Sequence, residues 1–282
     1  MTTRNSPIDA SAERRRWNDS AGSWDRWADA MADIADKLNQ PLLDAGGVDQ
    51  GHAVLDLASG AGEPAFSAAR RVGPGGLVIG TDIVPAMLAG AVRRAAALPP
   101  PVPCFAAADM TGLPFPDHAF DRVTCRFGIM FVPDVQAALL DVRRVLRPAG
   151  RAAFMVWGPR SDNALFDVVA DAVDQHLGAD ADRALDPLFR FAGAGELAER
   201  LDAAGFTAVS EHALTPVRHA KPGQPFWKAT LEMSFAQRLS GLTAARRAAL
   251  DADIDARFAA RALGGTVPLP VHVRIIVGSR PG

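Results

Sequence analysis

"VLDLASGAGEP", residues 54–64, decides how the rest of the chain is read. A short apolar run carries one acid, Asp56, and meets two glycines, Gly60 and Gly62, before Glu63 and Pro64. The spacing Gly60-Ala61-Gly62-Glu63-Pro64-Ala65 satisfies the G-x-G-x-x-G/A turn that leads a strand into a helix and lets backbone approach a nucleotide. Proline suits the first turn of the following helix, because its missing N–H has no partner there in any case.

Outward from this turn, strands and helices alternate. "HAVLDLAS", "LVIGTDI", "CFAAADM", a segment within "FDRVTCRFGIMFV", and "RAAFMVW" read as five short buried strands. "PAFSAARRV", "PAMLAGAVRRAAAL" and "VQAALLDVRRVL" read as the intervening helices. "TAVSEHAL" and "VHVRIIVGS" supply a sixth and a seventh strand. The expectation is an α/β fold, a doubly wound, mostly parallel seven-stranded sheet covered on both faces. Trp24, Trp27, Met31, Ile34 and Leu38 recur at helical steps, so residues 1–45 read as an N-terminal helical lid behind a polar, mobile stretch over 1–16. Residues 46–282 read as the main α/β domain, with helical insertions near 160–192 and 217–264 expected to cap it.

The totals narrow the function. With 282 residues, 49% of them hydrophobic, the chain has ample material for a core. A formal net charge of -2 gives no field for nucleic acid. The start "MTTRNSPIDASAERRRW" lacks the apolar core of a signal peptide, and no apolar run is long enough to span a bilayer, so a cytoplasmic protein with no stable membrane insertion is expected. Two cysteines, Cys104 and Cys125, form no framework. No His, Cys or acid spacing points to a metal.

Acids choose the ligand. Glu63 at the mouth of the helix and Asp56 just before the turn repel a pyrophosphate and favour a cation. Asp82 ends the second strand, where a carboxylate accepts from ribose hydroxyls. Asp109 and Met110 end the third, where an acid accepts from an adenine amino group and a thioether covers a ring face. Helix or turn capping is the alternative for Asp82 and Asp109. A nucleoside carrying a sulfonium and an ammonium fits this crevice better than NAD does.

These residues resemble the motifs of the class I S-adenosylmethionine-dependent methyltransferases, in particular the ubiquinone/menaquinone-type small-molecule branch. "VLDLASGAG", "GTDIVPAMLAGA", "AADMTGLPFPDHAFDRVTCRFGIMFVPD" and "RVLRPAGR" carry the resemblance, which covers about residues 17 to 157. Ala58 and Ala149 stand where that family usually has glycine. The resemblance implies a Rossmann-like methyltransferase fold and S-adenosyl-L-methionine as cofactor. It implies a cofactor-binding set of Trp24, Asp56, Ser59, Gly60, Gly62, Asp82, Ile83, Met87, Asp109, Met110, Arg126 and Phe127. Trp24-Asp25 stands where a lid pair closes on the cofactor, with packing of the indole onto the core as the alternative; Trp17 and Trp27 read as packing.

Methyl transfer to a small-molecule acceptor, by O- or C-methylation, is the expected reaction. A cofactor-binding protein of this fold with a non-methylating role is the runner-up, and an NAD(P)-dependent oxidoreductase ranks below it. No catalytic residue is assigned. His118, His212, His219 and His272 read as surface or structural residues, and His219 is the first to test as a base. Arg126 either holds an anionic acceptor or pairs with a neighbouring acid. Phe226, Trp227, Met233, Phe235 and Leu239 read as core, or else as a roof over a flat, apolar or aromatic acceptor.

Overall fold

The computed structural model describes residues 8–179 and 185–282. In chain order its elements are α1 (Ala10–Gly46), β1 (Ala53–Leu57), α2 (Ala65–Val72), β2 (Leu77–Asp82), α3 (Pro85–Ala96), β3 (Cys104–Ala107), β4 (Phe120–Arg126), α4 (Val135–Val145) and β5 (Leu146–Trp157). There follow α5 (Ala164–Leu177), α6 (Glu196–Ala203), β6 (Thr207–Leu214), β7 (Val217–Ala220), α7 (Lys228–Ser234), α8 (Ala236–Leu239), α9 (Ala244–Ala259), β8 (Val267–Pro270) and β9 (Val273–Ser279). The seven-stranded sheet runs β3-β2-β1-β4-β5-β9-β6. β1 to β5 are parallel, and β9 is antiparallel to both β5 and β6.

Alternation along the strands sets the two layers. Leu55, Leu57, Val123, Cys125 and Phe154 face α4 and α6, where Leu139, Val142 and Leu201 complete a fully buried core. Val54 and Val78 face the other way, onto α2 and Leu43 of α1, while Leu42 packs on Ala153, Met155 and Ile275. Asp56 and Thr124 share this second face, so both polar side chains lie under α1 and α2, with no exposure to solvent.

Two expectations change. Residues 10–16 are helical, because Asp9 caps α1 by accepting from the N–H groups of Ser11 (2.8 Å) and Ala12 (3.2 Å). Residues 1–7 lie outside the described residues. The second insertion opens with a strand: β7 pairs antiparallel with β8, Val217 opposite Pro270 and Ala220 opposite Val267. This ribbon, α5, α7 and α9 enclose a second core around Trp227, Leu231, Leu250, Ile254 and Phe258. Asn163 ties the cap to the sheet, donating to the Pro159 carbonyl (2.9 Å) and accepting from the His272 N–H (2.9 Å). Among the described residues, no helix is long and apolar enough to cross a membrane.

Candidate active site

A cavity of about 610 Å³ opens over the carboxyl ends of the parallel strands. Its floor is the turn after β1. There the chain is held by Ser59, whose hydroxyl donates to Asp56 Oδ2 (2.6 Å) and whose N–H donates to the Thr81 carbonyl (2.8 Å). Thr124 donates to the other Asp56 oxygen (2.8 Å). Burial pushes the Asp56 carboxyl up to about 7, against the pull of these two hydroxyls and of Arg126. Gly62, with φ of 106°, cannot carry a side chain, since a Cβ there would stand 2.2 Å from the Phe66 ring. Gly128, after β4, would meet the Ala58 methyl at 2.4 Å.

Asp82 closes the turn from the next strand. Its oxygens accept from the N–H of Gly60 (3.0 Å) and of Val84 (2.9 Å), so it clamps the loop as well as facing the cavity. Burial raises its pKa, opposed by those backbone bonds. Asp109 accepts from the N–H (2.9 Å) and hydroxyl (2.8 Å) of Thr111 through Oδ1 and lines the same wall as Met110. Above them α1 crosses the strand ends, where Trp17 and Trp24 pack on Ile83, Val84 and Met87. The Trp24 Nε1–H is buried there without a partner.

Arg126 and Phe127 end β4. Arg126 is half-buried, its Nε buried and unpaired and one Nη 3.3 Å from the Ala35 carbonyl; burial lowers its pKa. Phe127 takes a left-handed backbone, φ 59°, a strained choice costing roughly 1–3 kcal/mol for a bulky residue. That turn lays its ring flat on Trp157, centroids 4.0 Å apart and planes 1° apart. Phe166 meets Trp157 edge-on at 4.9 Å, which carries the aromatic wall from the sheet into the cap.

Comparison with known proteins agrees with this geometry. A methyltransferase-domain family matches residues 54–150. The chain is 33% identical over 210 residues to the ubiquinone/menaquinone biosynthesis C-methyltransferase UbiE of Saccharophagus degradans, covering 69% of this chain and 83% of that one. The chain belongs to the class I S-adenosylmethionine-dependent methyltransferases. Within them it falls in the quinone-methyltransferase branch. The corresponding protein of Cellvibrio japonicus is 36% identical over 151 residues, 51% of this chain and 60% of that one. For several other curated relatives the chain spans only about half of their length, 47% and 48% in two cases. Among solved structures, phosphoethanolamine N-methyltransferase 2 of Haemonchus contortus, in complex with S-adenosyl-L-methionine, shares the fold with a TM-score of 0.56 at 19% identity, over 87% of this chain and 53% of that one.

In this methyltransferase ten of the twelve expected cofactor residues line one cavity: Trp24, Ser59, Gly60, Asp82, Ile83, Met87, Asp109, Met110, Arg126 and Phe127. Asp56 and Gly62 do not. Asp56 is sealed beneath the loop, and Gly62 is spent on the Phe66 contact. Glu63 does face the cavity, but its charge is answered by Arg94 (3.3 Å) and by Asn39, which donates to it at 2.8 Å. Arg94 also donates to the Ala61 carbonyl (2.6 Å). The preference for a cation therefore falls to Asp82 and Asp109 alone. Asp25 turns away from the cavity to pair with Arg93 of α3.

On the cap side, His219 is exposed, in line with its reading as a surface residue, and no histidine among the described residues lines the cavity. Of the apolar residues in the second insertion, Met233 lines the cavity; Trp227 (1% exposed) and Phe235 (3%) are core. Trp17 and Trp27, read as packing, line it too. Sequence reasoning missed Trp157, Phe166, Arg218 and Thr230. Trp157 had a signal, since it closes a parallel strand and ligands of such sheets sit at strand ends.

Proposed function

We propose that this chain transfers the methyl group of S-adenosyl-L-methionine to a carbon or oxygen atom of a flat, quinone-like aromatic acceptor. The supporting observation is the single cavity that joins the carboxylate-bearing strand ends to the aromatic wall of Phe127, Trp157 and Phe166. The residues fit the cofactor. Asp82 keeps lone pairs for ribose hydroxyls, Gly60 brings backbone to the cavity, and Asp109 retains one oxygen without a protein partner. Trp24 and Arg126 each offer a buried, unpaired N–H. The bound cofactor would supply an activated methyl group on a sulfonium. The chain's own part is to align the acceptor and to exclude water. Phe127 and Trp157 offer ring faces for the acceptor, at the end of the strand that carries Arg126. A base on the protein is needed only for an acceptor that is not already ionised.

The N-terminal half of α1 and the segment 217–240 serve as the cover of this site. α1 reaches the cap through Trp27, which donates to Glu232 of α7 at 2.9 Å. Closing segments of this kind exclude water and complete a site. The test is turnover of cofactor labelled in its methyl group with a panel of hydroxynaphthalenes and quinols. Label in the product with release of S-adenosylhomocysteine is expected; an acceptor converted without label would establish the non-methylating alternative.

A further inference from the structure

Two arginines over the strand ends have acids nearby. Arg94 is bonded to Glu63 and Asp29, and Arg126 lies in the field of Glu63 and Asp56. Arg218 is different. It stands on β7, at the inward-facing position opposite Leu269 of β8, and lines the cavity. α5, β7, α7 and β8 contribute Leu165, Phe166, Thr230, Met233 and Pro270 to the same wall, and Arg218 is the one charged side chain among them in the described residues. It is half-buried, yet no carboxylate or carbonyl among the described residues bonds to it. Other half-buried arginines without an acid partner, Arg122, Arg143 and Arg190, donate to backbone carbonyls, and Arg15, Arg200 and Arg261 are exposed, where water solvates them.

A guanidinium partly withdrawn from water without a counter-charge loses part of its hydration, and an anion arriving with a ligand replaces it. Its planar fork matches a carboxylate through two parallel hydrogen bonds, which an ammonium cannot copy. We infer that the methyl acceptor is an aromatic carboxylate, its ring against the Phe127–Trp157 wall and its carboxylate held by Arg218. This rests on the methyltransferase reading above and adds the acceptor's charge to it. Arg218 is a specificity residue for the acceptor and stands apart from the cofactor-binding strand ends.

The test uses a matched pair of planar probes, 1-hydroxy-2-naphthoate and 1-hydroxy-2-naphthamide, titrated calorimetrically into the full chain with and without saturating S-adenosylhomocysteine. The naphthoate should bind about tenfold or more tightly than the amide, the scale of a charge-assisted hydrogen bond. Arg218→Gln and Arg218→Leu should reduce the ratio to below about twofold, and Arg218→Lys should keep part of it. All three variants should bind S-adenosylhomocysteine as the parent does, which shows that they are folded. Equal binding of the pair, binding of neither probe, or a preference that survives in Arg218→Gln and Arg218→Leu overturns the inference. Failure of the parent to bind S-adenosylhomocysteine would instead sink the cofactor reading, while the ratio measured without it still decides the role of Arg218.

Discussion

The two halves of the cavity are built by different means. Over the strand ends, residues within a few positions of one another do the work: Asp56, Ser59 and Gly60 in one turn, Asp82 and Ile83 in the next, Asp109 and Met110 in the third. Most polar groups there bond to a neighbouring turn. In the cap half, the wall is assembled from β5, α5, β7, α7 and β8, elements spread over more than a hundred residues, and is mostly apolar. On the proposed reading, cofactor recognition resides in the local chemistry of consecutive residues, and acceptor recognition in tertiary packing.

The largest expected effect probes the polar half. Asp56 has a folded pKa of about 7, raised above the unfolded carboxylate value by burial. Between about pH 4 and 7 the folded state therefore binds more protons than the unfolded one, and stability falls as pH rises through that window, by as much as roughly 4 kcal/mol from this group. Asp56→Asn should remove that part of the slope and be the more stable protein at pH 8. Denaturant melts of both proteins at pH 5 and 8 check this; identical pH dependence would mean that Asp56 is not the buried titrating acid.

A second pair of variants sets one half directly against the other. Trp24 lines the cavity and its buried indole N–H has no partner, whereas Trp227 donates its own to Asp255 at 2.7 Å within the cap core. Trp24→Phe should weaken S-adenosylhomocysteine binding by about 1 kcal/mol, the net worth of one hydrogen bond, and leave the melting temperature nearly unchanged. Trp227→Phe should do the reverse, costing about 1–2 kcal/mol of stability with no change in affinity. Calorimetric titrations and thermal melts of the two variants separate the roles, and a swap of outcomes would place the cofactor on the wrong side of α1.

The smallest effect concerns the turns. Ala58 and Ala149, which replace the family's usual glycines, both adopt left-handed backbone, with φ of 52° and 60°. Glycine relieves that conformation but loses more entropy on folding. Ala149→Gly, at an exposed position, should gain up to about 1 kcal/mol in a urea melt. A loss of stability there would contradict the left-handed turn.

The contrast explains what the sequence revealed. The seven strands and their mostly parallel arrangement follow from apolar runs separated by glycine and proline turns, and ten of the twelve expected cofactor residues, drawn from motifs tied to those turns, line the cavity. Asp56 and Glu63 misled because sequence shows a charge but not its burial or its partner. Here Thr124, 68 residues away, and Arg94, 31 away, answer them. β7 was hidden for another reason. Four residues are too few to separate a period of 2.0 from one of 3.6, and its partner β8 lies some fifty residues on and contains two prolines. Arg218 became legible only when that ribbon closed.

The central claim is that the strand-end half holds S-adenosyl-L-methionine through Asp82. Titration of S-adenosylhomocysteine and of NAD into the parent protein and Asp82→Ala, by calorimetry, tests it most directly. The parent should bind S-adenosylhomocysteine in the micromolar range, about -8 kcal/mol, and ignore NAD. Asp82→Ala should lose roughly 2–4 kcal/mol of that affinity, and some stability as well, since the Gly60 and Val84 N–H groups lose their acceptor. Tighter binding of NAD, or undiminished cofactor affinity in Asp82→Ala, would contradict the account.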